Sequence, residues 1–128
     1  MKRKVVKVII AGRRDFNDYE LLKSKVDYYL SNAIKNNYKI IIVSGTARGA
    51  DRLGEKYAKE KKYEIAYFPA DWSLGKRAGY IRNEQMALYA KEQGNGALIA
   101  FWDKQSRGTK HMIDLAKKHN LHTRIVNY

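Results

Sequence analysis

Seven arginines, Arg13, Arg14, Arg48, Arg52, Arg77, Arg82 and Arg107, lie in or beside four segments that each follow a short apolar run: GRRDFND (12–18), SGTARGAD (44–51), ADWSLGKRAGYIRN (70–83) and WDKQSRGTK (102–110). Only Arg3 and Arg124 lie elsewhere, while the lysines spread over the amphipathic stretches in between. A guanidinium presents a planar fork of donors that suits two-point recognition of phosphate or carboxylate, whereas scattered lysines mainly keep a surface soluble. This partition points to an anion site, with two glycine-bearing segments as its candidate walls. In SGTARGAD, Gly45 and Gly49 permit close backbone approach, and a helix beginning near Gly49 or Ala50 offers N–H groups to a phosphate. The alternative is a tight strand-to-helix turn with Asp51 stabilising the first helical turn. SRGTK (106–110) repeats the arrangement, with Gly108 for close approach and Ser106 or Thr109 as hydroxyl donor or cap. Neither segment is a Walker A loop, and the glycines at 45, 49 and 54 miss the G-x-G-x-x-G dinucleotide spacing.

Other side chains near these segments have competing roles. Asp15, Asp51, Asp71 and Asp103 each follow an apolar run; they could share a magnesium ion with a bound phosphate, but helix caps and ion pairs with the loop arginines are the expectation. His111, His119 and His122 lack ligand spacing on one face, so no metal site is expected. Trp72, Phe101 and Trp102 could stack on a base or fill the core; Phe101 is assigned to the core, and the two tryptophans stay open between the readings. The expected ligand-binding set is Gly12, Arg14, Asp15, Ser44, Gly45, Thr46, Arg48, Gly49, Asp51, Trp72, Arg82, Asn83, Ser106, Arg107, Gly108 and Thr109. The phosphate is expected on 45–51 and 106–110, steadied by Arg14, Arg48, Arg82 and Arg107.

The elements that must position these groups follow from apolar period. Strands are expected at VVKVIIAG (5–12), KIIIVSG (39–45), EIAYFPA (64–70), GALIAFW (96–102) and LHTRIVNY (121–128). Residues 18–37 read as one helix with Leu21, Leu22, Val26, Tyr29, Leu30, Ala33 and Ile34 on a single stripe and Asn17 or Asp18 as N-cap. Further helices are expected over 49–62, with Glu55/Lys59 and Lys56/Glu60 at i,i+4, over 79–93, ended by Gly94, and over 108–120. Five strands joined through four helices predict an α/β, Rossmann-like fold: a mostly parallel five-stranded sheet with helices on both faces, because parallel neighbours need crossover connections. In such sheets ligands settle beyond the carboxyl ends of the strands, where the arginine-bearing segments fall.

Bulk composition narrows the classes. The 128 residues fit one domain, 1–128, and 45% hydrophobic residues with 10 Tyr, 3 Phe and 2 Trp suffice for a packed core. With no cysteine, disulfides, thiol catalysis and thiolate metal sites are excluded. No apolar run approaches the ~20 residues of a membrane span, and MKRKVVKVII reads as a charged cap on a strand without a small-residue cleavage site. A cytoplasmic protein without a membrane partner is expected. Lys plus Arg number 26 against 13 acidic residues, and the net charge of +13 favours anionic partners, nucleotides or nucleic acid.

The ordered segments IIAGRRDF, SGTARGADRLGEKYA, FPADW, GKRAGYIRNEQMA and ALIAFWDKQSRGTKHMIDLA resemble the YspA, cpYpsA-related family of the SLOG superfamily, over nearly the whole chain. That superfamily also holds the Lonely Guy nucleotide phosphoribohydrolases and the DNA-processing protein DprA. The resemblance implies a nucleotide-type ligand on the strand ends, commonly in a homodimer; no cofactor is expected. Arg82-Asn83-Glu84-Gln85-Met86 is similar to the R-K-x-x-M motif of the Lonely Guy enzymes, which gives Arg82 their binding or charge-stabilising role and makes it the candidate catalytic residue. Their P-G-G-x-G-T-x-x-E motif is only partly matched: SRGTKHM keeps Gly108 and Thr109 but has Met112 where the Glu falls, with His111 beside it. Cleavage of an N-glycosidic bond needs a carboxylate to steady a cation-like sugar and activate water. In this chain Asp51, Asp71, Asp103 or Glu84 would have to supply it, and His111 would be the group to protonate the leaving base. Arg13 also stands where the family pattern G-S-R-D-F has Ser. The expected function is binding of a nucleotide or nucleotide-derived ligand. The alternatives are N-glycosidic hydrolysis and DprA-like binding of single-stranded DNA.

Overall fold

The computed structural model describes residues 3–128, so the first two residues of the charged N-terminal stretch lie outside it. Along the chain run β1 (Val5–Gly12), α1 (Tyr19–Tyr29), α2 (Ser31–Lys35), β2 (Lys39–Ser44), α3 (Ala50–Lys61), β3 (Glu64–Tyr67), a 3₁₀ segment (Trp72–Arg77), α4 (Ala78–Lys91), β4 (Gly96–Trp102), α5 (Arg107–Lys118) and β5 (His122–Asn127). The strands form one sheet in the order β3-β2-β1-β4-β5, and every pairing is parallel. The chain therefore fills one side of β1 with β2 and β3, then crosses to the other side for β4 and β5. That reversal leaves a crevice at the carboxyl ends of β1 and β4.

Both faces of the sheet are covered, which is why β1 and β2 read as nearly continuous apolar runs rather than as alternating ones. Val8 and Ile10 point to one face, where they join Leu22 and Val26 of α1 and Tyr57 and Ala58 of α3. Ile9 and Ala11 point to the other, with Met86 and Ala87 of α4 and Met112 and Ile113 of α5. Phe101 belongs to the first core, fully buried and stacked on Phe16 with centroids 5.0 Å apart. Its core assignment holds.

Three expectations are corrected, and one segment left unassigned from the sequence is ordered. The helix over 18–37 is two, broken at Leu30, whose φ of −95° and ψ of 1° end α1. The Ser31 hydroxyl donates to the Tyr28 carbonyl at 2.8 Å at this break, a local bond that competes with the helical ladder. Ile34 is exposed, off the stripe that Leu22 and Val26 bury. Strand β3 ends at Tyr67, not at residue 70, because Pro69 has no N–H to extend the ladder. The i,i+4 pairs of α3 take other partners: Glu55 is buried and accepts from Ser44, Glu60 accepts from the Tyr19 hydroxyl at 2.6 Å, and Lys56 lies 4.2 Å from the centre of the Tyr19 ring. Finally, 72–77 is ordered as a 3₁₀ segment, with Asp71 as its cap accepting from the Ser73 N–H at 3.1 Å. Asp18 caps α1 as expected, accepting from the Leu21 N–H.

Candidate functional site

The loop after β2 is held from below by two carboxylates. Ser44, at the end of β2, is buried; its hydroxyl donates to Glu55 at 2.6 Å and accepts the Thr46 N–H at 3.0 Å. This pair of bonds keeps Thr46 at φ 64°, a left-handed conformation unusual for a β-branched residue and of the kind that collects at functional loops. One residue on, the Ala47 N–H donates to Asp51 Oδ2 at 3.1 Å. Gly49 then turns the chain into α3 at φ 78°; a Cβ here would lie 2.3 Å from the Arg13 carbonyl oxygen, so the loops after β1 and β2 touch backbone to backbone. The N–H groups of Thr46 and Ala47 are consequently spent on the protein itself. Ala50 N–H reaches the Arg13 carbonyl at 3.4 Å.

The loop after β4 is ordered in a similar way. Asp103 accepts the N–H groups of Ser106 (2.8 Å) and Gln105 (2.9 Å) and an Arg13 guanidinium N–H. These bonds, the Ser106 one foremost, hold its carboxyl down to about 2, so it is charged and ties the β1 loop to the β4 loop. Ser106 is the N-cap of α5, accepting from Thr109 N–H at 3.4 Å, and the two hydroxyls are 3.0 Å apart. The Trp102 indole donates to the Ser106 carbonyl at 3.2 Å and braces this loop.

Helix α4 supplies the third wall. Arg82 is half-buried; its Nη1 donates to the Gly45 carbonyl and its Nε to Asn83 Oδ1 at 3.0 Å. Burial lowers its affinity for a proton and Asp51 opposes that, so the guanidinium stays charged beside the carboxylate. A Cβ built on Gly45 would stand 2.8 Å from Asp51 Oδ2 and 2.9 Å from Arg82 Nη1, which places acid and base side by side over a bare glycine. Asn83 Nδ2 reaches the Gly108 carbonyl at 3.4 Å and lies 3.2 Å from His111 Nδ1, linking α4 to α5. Burial holds His111 below its ordinary range, so the ring is neutral near pH 7 and its Nδ1 can accept from Asn83.

Two adjoining cavities open above these walls. The first, about 580 Å³, is lined by residues including Gly12, Arg14, Asp51, Trp72, Arg82, Asn83, Ser106, Gly108 and Thr109. The second, about 520 Å³, is lined by Arg14, Gly45, Thr46, Ala47, Arg48, Pro69, Ala70, Trp72 and Arg82. Trp72 is 55% exposed at the mouth, with the Arg14 guanidinium 5.6 Å from its ring centre. Of the sixteen residues expected at the site from sequence, Asp15, Ser44, Gly49 and Arg107 line neither cavity. Asp15 pairs with Arg13 at 3.1 Å, Ser44 and Gly49 shape the loop from behind, and Arg107 is exposed. The first cavity also gathers Lys76, Tyr80 and Gln105, which the sequence did not single out. No helical spacing signals the cluster Trp72, Lys76, Tyr80, because the 3₁₀ segment that carries the first two is interrupted at Gly75, at φ 80°, before α4 begins. Among the described residues no group of three or more His, Asp or Glu could hold a metal ion.

Asp51 is the most unusual group here. It is 7% exposed, and burial, the largest influence on it, pushes its carboxyl up to about 6 against the opposing Ala47 N–H and Arg82. A folded-state value above the unfolded one means that the proton is held more tightly in the folded chain. Asp51 therefore costs stability as pH rises from about 4 through about 6. Asp51→Asn, which keeps an acceptor for Ala47, is expected to be more stable than the wild type by about 1–2 kcal/mol near pH 8, with the advantage shrinking toward pH 5. Urea denaturation of both proteins across that range checks the sign.

The fold and this cleft define a Rossmann-like domain with an arginine-lined site on its strand ends. The model of the YspA, cpYpsA-related SLOG family matches residues 6–75, from β1 into the 3₁₀ segment, and the chain belongs to that family. The chain is also similar to the Gene 61 protein of Mycobacterium phage D29, 29% identical over 118 residues that cover 88% of this chain and 89% of that protein. No solved structure matches it. Among the described residues no helix is long and apolar enough to cross a membrane.

Proposed function

We propose that the protein binds a nucleotide or nucleotide-derived ligand at the carboxyl ends of its strands, in a sensing, sequestering or processing role. The observation that carries this reading is the convergence of Arg14, Arg48 and Arg82 with the exposed ring of Trp72 around joined cavities of about 580 and 520 Å³. Guanidinium forks suit phosphate oxygens, an exposed indole beside them suits a base, and each volume lies in the usual range of small-molecule sites. Family membership is compatible with a nucleotide-related ligand. Because the Thr46 and Ala47 N–H groups are already engaged, the anion rests on arginine side chains more than on a backbone cradle. Calorimetric titration of the purified protein with nucleoside mono- and diphosphates tests the reading, supported by native mass spectrometry for a co-purifying nucleotide. A site for a small nucleotide responds weakly to added salt, whereas binding of single-stranded DNA through the +13 charge would fall steeply. Loss of all nucleotide binding alongside tight, salt-sensitive DNA binding would overturn it.

One observation favours a second reading, hydrolysis of an N-glycosidic bond. Asp51 is a carboxylate on the first cavity, which Met112, at the position of the missing Glu, also lines, and its proton affinity suits acid–base work near neutrality. Release of free base from nucleoside monophosphates, abolished by Asp51→Asn, would support it; no release from any of them would remove it.

A further inference from the structure

The two cavities are not independent: Arg14, Ala47, Trp72 and Arg82 belong to both. Their shared wall carries two guanidinium groups and an aromatic face, while the far ends differ in chemistry. The first chamber runs back to the side-chain amide of Asn83 and the Thr109 hydroxyl over the apolar floor of Met86 and Met112. The second runs out over Pro69 and Ala70, rigid and small, with Thr46 and Arg48 opposite.

Asp51 restricts what enters the first chamber. Only its Oδ2 is engaged, by the Ala47 N–H; Oδ1 has no hydrogen-bond partner among the described residues, and Asp51 forms part of the cavity wall. An acceptor-only group facing the chamber repels a phosphate and receives a hydroxyl or amino donor. Negative charge is accepted instead at the shared wall, where Arg82 and Arg14 stand. Thr46, held at φ 64° by Ser44, shapes the entrance to the other chamber.

Resting on the nucleotide reading above, we propose that the ligand has two arms joined by a phosphate or diphosphate linkage. The linkage lies across Arg82 and Arg14, a hydroxyl-bearing sugar arm faces Asp51 in the first chamber, and the second arm occupies the chamber over Pro69 and Ala70. A single nucleotide fills one chamber and leaves the other to water. A two-armed molecule gains the contacts of both chambers without a second loss of translational freedom.

The test is a calorimetric series on the full chain with a nucleoside monophosphate, a nucleoside diphosphate and a dinucleoside diphosphate of the same base, repeated on Ala70→Tyr, whose added ring fills the second chamber. The two-armed compound is expected to bind the wild type at least about tenfold more tightly than either of the others. Ala70→Tyr is expected to erase that advantage, and an advantage undiminished in the folded variant overturns the placement of the second arm over Pro69 and Ala70. Equal affinity of monophosphate and dinucleoside diphosphate for the wild type overturns the two-armed proposal and leaves the nucleotide reading intact. Binding of none of the three overturns both. The wild-type series decides the question even if the variant does not fold.

Discussion

Replacing Gly49 with alanine is expected to destabilise the domain by about 3–5 kcal/mol, the sum of a strained backbone and a steric collision. Gly49 stands at φ 78° and ψ −128°, a region that L side chains rarely enter, and its Cβ would meet the Arg13 carbonyl oxygen at 2.3 Å and Arg14 backbone atoms at 2.6 Å. Neither obstacle is a flexible side-chain tip, so relief requires that the β1 and β2 loops separate. Separation would also pull Arg14 away from Trp72 and open the wall that both cavities share. Urea denaturation reads the stability loss directly. Gly108→Ala is the matched control: a Cβ there meets nothing within 4 Å, and in the first turn of α5 alanine is expected to be neutral or to stabilise by about 0.5–1 kcal/mol. A midpoint for Gly49→Ala within error of wild type would mean that the two loops are not locked together.

Arg82→Ala is expected to cut nucleotide affinity by about 1.5–3 kcal/mol, roughly 10- to 150-fold, the range for charge-assisted contacts. Three features make this arginine more consequential than its neighbours. It borders both cavities, it is half-buried and so less hydrated than Arg48 or Arg14, and its Nη1 is anchored on the Gly45 carbonyl, so little ordering remains to be done on binding. Its loss also removes the cation that opposes the burial of Asp51, so the Asp51 carboxyl should rise further above 6 in the variant. The consequence is a pH dependence of binding that moves upward in Arg82→Ala and vanishes in the double variant with Asp51→Asn. Arg82→Lys restores a charge without the fork and is expected to recover only part of the affinity. Calorimetry across pH measures both effects, and an unchanged affinity in Arg82→Ala would place the ligand elsewhere.

Much of the architecture was legible along the chain. The apolar runs at 5–12, 39–45 and 96–102 announced buried parallel strands because both of their faces are covered and their apolar pattern is nearly unbroken. The concentration of arginine after strands marked the end of the sheet where the two cavities open for the same local reason: composition changes where a backbone leaves the core. Less legible was the break at Leu30, since Leu30, Ala33 and Ile34 keep helical spacing across it. The break lies in the backbone dihedrals of Leu30 alone, and apolar period carries no information about a single residue's dihedrals.

The same division runs through the site. Residue type alone determined that this protein carries forked cations, bare glycines and an indole at its strand ends, since those properties belong to the side chains and to their place after an apolar run. Tertiary structure decided which of them meet. Strand order β3-β2-β1-β4-β5 sets the β1 loop between the loops of β2 and β4, brings Arg82 of α4 over Gly45 and turns Arg107 outward. It also made an ordinary aspartate into a buried one, because the proton affinity of Asp51 depends on the water excluded by the β2 loop and α4, which bring Ala47 and Arg82 to it, and no one segment of the chain contains that exclusion.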